Sequence, residues 1–177
     1  LMFHGCRRPD FRHPARYRLK CRMPQSPAVT ATALAAFLRG IERRAQVFAL
    51  AQSGDEVAAA AAVEATVKVF SAQAGDCPIG TWPAQFWSLL VQQRELARGG
   101  GESPLLAALS PGPRAALLLR LVAGLDFAHG AQVLAVAEPT YRFALQRGLD
   151  QLHAAGYDMA ALEALRESLR ARVLAAS

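Results

Sequence analysis

A chain of 177 residues is long enough for one ordinary domain or two small ones, and 53% hydrophobic with 19% charged residues excludes an intrinsically disordered polypeptide. Alanine and leucine dominate, β-branched and aromatic residues are sparse, and strict period-two alternation is nearly missing, so the composition predicts an all-α protein. The formal charge of +6 is concentrated: residues 1–22 hold seven of the 20 basic residues (Arg7, Arg8, Arg12, Arg16, Arg18, Lys20, Arg22) and only Asp10 among the acids, so the remaining 13 basic and 13 acidic residues cancel.

Such a basic segment could neutralise phosphates or lie on an acidic surface. Without a helical period, and with Met23 as the expected start, residues 1–29 read instead as a tail, disordered or not native to the chain. The three cysteines, Cys6, Cys21 and Cys77, are odd in number and form no CxxC pair, which argues against a disulfide framework and for the reducing interior of a bacterial cytoplasm. His4, Cys6, His13 and Cys21 are metal-ligand types without metal-ligand spacing, so no metal site is expected. No uninterrupted apolar run reaches the roughly 18 residues of a membrane span. No export signal is recognisable, so a soluble protein without membrane insertion is expected.

In chain order, Thr30 can cap a first helix whose apolar positions Leu34, Phe37, Leu38, Ile41, Ala45, Phe48 and Ala49 recur at three- and four-residue steps, ending near Ser53-Gly54. Asp55 opens a second helix to about Ser71, with Val57, Ala61, Val63, Val67 and Phe70 available for burial. A loop over 75–80 precedes a third helix, started by Thr81 and Pro83 and running through Trp82, Phe86, Trp87, Leu89, Leu90, Val91 and Leu96. Gly99, Gly100 and Gly101 cost too much backbone entropy for a helix interior, so residues 99–108 are predicted as a linker after an N-terminal helical domain over 30–98. With no Lys-Ser or Lys-Thr following and no strand preceding, these glycines are not a phosphate-binding loop.

Past the linker, Ser110-Pro111-Gly112-Pro113 opens a helix to about Ala123, closed by a left-handed Gly124. Asp126 caps a short helix over 127–134, Ala135-Val136-Ala137 form a turn, and a longer helix over 138–153 tolerates Pro139 in its first turn. These elements define a second small domain over 109–156. Asp158 begins a C-terminal amphipathic helix within 157–177, with Met159, Leu162, Leu165, Leu169 and Val173 on one face.

Two short helices joined by a tight turn, the second bearing polar groups outward, have the rhythm of a helix-turn-helix, a rhythm that a plain helical hairpin shares. The second helix of such a motif fits the major groove, and its first turn can meet a phosphate. The outward candidates for DNA contact are Glu138, Thr140, Tyr141, Arg142, Gln146 and Arg147, with Leu145 and Leu149 inward and with Arg114 and Arg120 as additional phosphate holders.

The run Leu109-Ser110-Pro111-Gly112-Pro113-Arg114-Ala115-Ala116-Leu117-Leu118-Leu119-Arg120, then Gly124-Leu125, Ala131, Val133-Leu134, Glu138, Thr140 and Arg147, resembles the C-terminal domain of extracytoplasmic-function sigma factors of the sigma-70 family. Val63-Glu64-Ala65-Thr66-Val67-Lys68-Val69-Phe70 looks like that family's segment for the polymerase clamp, with Glu64, Lys68 and Phe70 on its acid, base and aromatic. Thr81-Trp82-Pro83-Ala84-Gln85-Phe86-Trp87-Ser88-Leu89-Leu90 looks like the tryptophan-containing helix that supports capture of the melted promoter strand. For that strand, Trp82, Phe86, Gln92, Gln93 and Arg94 supply stacking and polar groups, while Trp87 is expected in the core.

The resemblance implies a sigma-2-like domain and a sigma-4-like helix-turn-helix domain. It also implies bacterial RNA polymerase core and promoter DNA as partners, transcription initiation as the role, no cofactor, and room for an anti-sigma regulator. Residues 58–62 depart from it, lacking the acids usual there. Ala135 stands where glycine is common, which forces a left-handed alanine or a remodelled turn, and Pro139, Tyr141, Phe143 and Ala144 replace smaller or more basic residues. These departures leave a second reading open, a degenerate sigma-like interaction or regulatory protein without promoter-specific initiation. Catalysis is not expected: His129 and His153 are isolated and Cys77 has no histidine nearby in sequence.

Overall fold

The computed structural model describes residues 27–175, with side chains from residue 31 onward. The predicted tail, apart from its last three residues, and the groups His4, Cys6, His13 and Cys21 lie outside the described residues. Among the described residues every regular element is helical, as the alanine- and leucine-rich composition predicts.

Helix α1 (Pro27–Ser53) starts three residues ahead of Thr30 and carries the predicted apolar stripe, with Ile41, Ala45, Phe48 and Ala49 buried. Gly54, at φ +75°, ends it. Asp55 then caps α2 (Glu56–Gln73), its Oδ1 accepting from the Ala58 amide at 2.7 Å. Only Gly54 and Asp55 separate the two helices, so they double back as a hairpin and pack along their length. The buried face of α2 is Ala59, Ala62, Val63, Thr66 and Phe70, whose alanines let the backbones approach closely; Val57 and Ala61 point outward instead, Val57 being 80% exposed. The stretch Glu56–Asp76 has the length and mean hydropathy (1.2) of a membrane span, although Glu64 and Lys68 interrupt it. Much of that hydropathy comes from alanine, and the apolar stripe packs on α1 and α3.

Two short 3-10 turns lead into α3 (Trp82–Val91). The predicted run through Leu96 is broken, because Gln93 is extended (φ −64°, ψ 130°) and a one-turn α4 (Arg94–Ala97) follows, with Leu96 buried. Phe37 of α1, Phe70 of α2 and Trp82 and Phe86 of α3 form one aromatic cluster, with ring centroids 5.3–6.0 Å apart and mostly edge to face, the arrangement favoured by ring quadrupoles.

The predicted linker is folded against α1. The Gly100 amide donates to the Ser53 carbonyl (3.1 Å) and the Glu102 amide to that of Ala51 (3.2 Å). A Cβ on Gly99 would lie 2.3 Å from the Ser53 Cα, so glycine is required there by backbone meeting backbone. Ser103 caps a one-turn α5 (Pro104–Ala107), which buries Leu105 and Leu106.

Helix α6 (Pro111–Leu121) is followed by Gly124 at φ +72°, then α7 (Phe127–Val133), α8 (Glu138–Ala154) and α9 (Met159–Leu174). Asp126 and Asp158 cap α7 and α9, each accepting at 2.8 Å from the amide three residues on. On α9 Leu169 is fully buried and Leu162, Leu165 and Val173 partly so, whereas Met159 is exposed. One continuous core runs through both halves of the chain, because α6 packs on α1, α7 on α3, and α9 on both α1 and α6.

At this junction Arg114 is 3% exposed. Its Nε donates to the Leu106 carbonyl (2.8 Å), Nη1 to those of Gln52 (2.9 Å) and Gly99 (2.7 Å), and Nη2 to that of Leu109 (2.7 Å). Burial lowers its pKa, yet a guanidinium stays charged at any physiological pH, and here four carbonyl dipoles replace its water. The sequence reading of Arg114 as a phosphate holder is therefore corrected: the side chain faces inward and holds the two halves together.

Candidate nucleic-acid and polymerase interfaces

Helices α7 and α8 are joined by Leu134, Ala135, Val136 and Ala137. Ala135 is the left-handed alanine that the sequence allowed, at φ +53°. The turn persists because the Ala135 amide donates to the Gln132 carbonyl and the Val136 amide to that of Ala131, closing α7 with bonds that offset part of the strain.

Tyr141 is not a DNA-facing residue. Its side chain is buried, its hydroxyl donates to the Ala116 carbonyl of α6 at 2.8 Å, and burial pushes its pKa up to about 12. The ring lies against Gly130 of α7, where a Cβ would come within 2.5 Å of it, so Gly130 and Tyr141 together set how closely α7 and α8 pack. Gly148 and Leu152, seven and eleven residues further on, are buried on the same side of α8.

The other five predicted DNA contacts, Glu138, Thr140, Arg142, Gln146 and Arg147, have solvent-accessible side chains. Arg142 is engaged: Nη2 and Nε lie 2.6 and 2.9 Å from Glu138 Oε1, and the guanidinium sits 3.9 Å from the Phe127 ring centroid. Arg120 stacks on the same ring at 4.6 Å and donates to the Leu125 carbonyl. Gln146 donates to Asp150 (3.0 Å). Arg147, among the described residues, enters no ion pair. Ala137 offers no capping oxygen, so the first amides of α8 lack a side-chain acceptor. Phe143 is 67% exposed, and Leu149, expected inward, is partly exposed.

For the melted strand, Trp82 and Phe86 are corrected. Both are fully buried in the aromatic cluster, and the Trp82 Nε1 donates to the carbonyls of Ala74 (3.1 Å) and Cys77 (3.3 Å). Withdrawing such a ring costs about 3 kcal/mol by area, as much as a stacked base returns, about 1–3 kcal/mol. They therefore shape the domain and do not hold bases. Gln93 is half-buried, tying Thr66 Oγ1 (3.2 Å) and the Leu89 carbonyl (3.2 Å), which leaves Gln92 and Arg94 as the exposed members of that set.

In the clamp-like segment, Glu64 and Lys68 are exposed one turn apart on α2, while Phe70 lies in the core between Phe37 and Phe86 and is corrected to a structural residue. Glu64 lines a groove of about 410 Å³ between α1 and α2, with Val47, Leu50, Val63 and Val67 as its apolar lining and Arg172 of α9 among its walls. Arg172 pairs with Glu102 at 2.6 Å, and its carbonyl accepts from Arg43 Nε at 2.9 Å, which fixes α9 beside the groove. His129 is not isolated as expected: its ring and amide bond Asp126, holding that carboxyl below its usual range, and the pair serves as a helix cap.

No protein-family model, no curated protein and no solved structure matches this chain.

Proposed function

We propose that the chain is a sigma-like protein that binds bacterial RNA polymerase core through the exposed face of α2 and directs transcription initiation by reading promoter DNA with α8. In this reading residues 30–98 act as a sigma-2-like unit, residues 109–156 as a sigma-4-like helix-turn-helix unit, and the setting is the bacterial cytoplasm. The chain performs no bond chemistry; its work is recognition.

The observation that carries the proposal is the exposed pair Glu64 and Lys68, four residues apart on α2, with Glu64 lining a groove floored by apolar side chains. A charged pair beside apolar surface gives a partner both an anchor and an orientation. Support for DNA reading comes from α8, whose first turn lacks a side-chain cap and whose outer face carries Thr140, Gln146 and Arg147.

One observation favours the second reading, an interaction module that binds polymerase or another protein without promoter-specific initiation. Arg142 is neutralised by Glu138, and Arg114 is buried, so few cations remain for phosphates. Adding the chain to bacterial core polymerase and a library of promoter fragments distinguishes the two. Chain-dependent transcripts from a defined subset support initiation. Core binding without transcripts supports the interaction module.

A further inference from the structure

We propose that Phe143 reads the methyl group of a thymine in the major groove, next to a guanine read by Arg147. This rests on the reading that α8 enters that groove.

Phe143 points away from the core side of α8, which is marked by Tyr141, Gly148 and Leu152. It is the one aromatic among the exposed large apolar side chains of the described residues. Its neighbours on that face, Pro139 and Thr140 one turn before and Gln146 and Arg147 one turn after, are all exposed, so it does not extend the core packing. Duplex DNA offers such a side chain one apolar feature in the major groove, the C5 methyl of thymine.

Arg147 has no ion partner among the described residues and lies one turn further along the same face. A free guanidinium there suits the two acceptors of guanine. Four residues of helix span about 6 Å, close to two base-pair steps of about 3.4 Å, so the thymine and guanine should fall within about two base pairs of each other. Arg142 is excluded from this pair by Glu138 and Phe127.

The test selects duplexes from a random library with the full chain, alone at low salt and in the presence of polymerase core. Each thymine of the preferred duplex is then replaced by uracil, which removes only the methyl group. One replacement should weaken binding about fourfold, the worth of one buried methyl. The Phe143→Ala variant, with an unchanged melting temperature, should be insensitive to that replacement while keeping its guanine preference. A preferred duplex with no methyl-sensitive thymine, or a Phe143→Ala variant as methyl-sensitive as the wild type, overturns the role of Phe143 alone. Recovery of no preferred duplex overturns both this role and DNA reading by α8. Loss of core binding in Phe143→Ala with unchanged DNA preference assigns the side chain to a protein interface and also overturns the proposal.

Discussion

The Nη1 of Arg114, in the first turn of α6, donates to the main-chain oxygen of Gln52 in the last turn of α1, 2.9 Å away and 62 positions earlier in the chain. Three further carbonyls complete the same guanidinium, and the side-chain Oε1 of Gln52 is buried without a hydrogen-bond partner among the described residues. Replacing Arg114 by methionine removes the donors and leaves those carbonyls unsatisfied. The expected loss is about 3 kcal/mol or more, since orphaned buried acceptors cost more than a single bond returns. Thermal denaturation should show a fall of roughly 6–12 °C for a chain of this size. Arg114→Lys, which cannot reach all four carbonyls with one ammonium, should fall roughly half as far. An unchanged melting temperature would mean the junction does not hold the halves together.

Ala135 gives a prediction of opposite sign. An L-residue in the left-handed region costs roughly 1–2 kcal/mol, and glycine returns part of this through its greater freedom in the unfolded chain. Ala135→Gly should therefore stabilise by about 0.5–1 kcal/mol, read as a higher denaturation midpoint at unchanged slope. Destabilisation would mean that the alanine methyl makes a compensating contact.

Tyr141 makes stability depend on alkaline pH. Its folded pKa is raised by burial from 10 to about 12. Between these values the unfolded chain loses the phenolic proton and the folded chain keeps it. Stability is then fully present below pH 10 and declines from pH 10 to pH 12, by about 1.4 kcal/mol per unit. Denaturant unfolding at pH 9 and pH 11 should show this slope in the wild type and a shallower one in Tyr141→Phe. That variant also gives up the bond to the Ala116 carbonyl, worth about 1 kcal/mol at neutral pH. Equal slopes in both proteins would contradict the buried phenol.

On α8 the two arginines should behave differently. Arg142 is committed to Glu138 and Phe127, whereas Arg147 is unpaired among the described residues. Under the DNA-reading proposal, Arg147→Ala should weaken binding to a selected duplex about tenfold. Arg142→Ala should cost about threefold or less, because its charge is already neutralised by Glu138, and what loss there is comes from the carboxylate it uncovers. Electrophoretic mobility shifts at fixed salt would measure both, and a reversed order would place Arg142 at the bases.

Much of the fold was legible because it is written locally. Asp55, Asp126, Asp158 and Gly124 mark helix ends through their own backbone chemistry, and the apolar stripe of α1 follows a helical period. The misread features are tertiary. Three glycines in a row look like a flexible linker, and only the approach of the Ser53 backbone to Gly99 and of the Leu106–Ala107 backbone to Gly101 shows that two of them serve close packing. Trp82 at a helix start looks exposed until the preceding turns supply carbonyls to its indole. Arg114 looked like a surface cation because sequence does not show which carbonyls surround it. Tyr141 and Phe143 could have been separated: Tyr141 shares the phase of Gly148 and Leu152, while Phe143 falls opposite, and residue chemistry obscured that phase.

The measurement that bears most directly on the proposed function is co-elution of the purified chain with bacterial RNA polymerase core, comparing wild type with a Glu64→Ala, Lys68→Ala variant. Both residues are exposed, so the variant should melt as the wild type does. A stable complex is expected with the wild type, and its loss, by tenfold or more in affinity, in the variant. That loss corresponds to removing a desolvated charge pair at a protein interface, about 1.4 kcal/mol or more. Absence of a wild-type complex, or equal binding by the variant, would contradict the polymerase-binding role of α2.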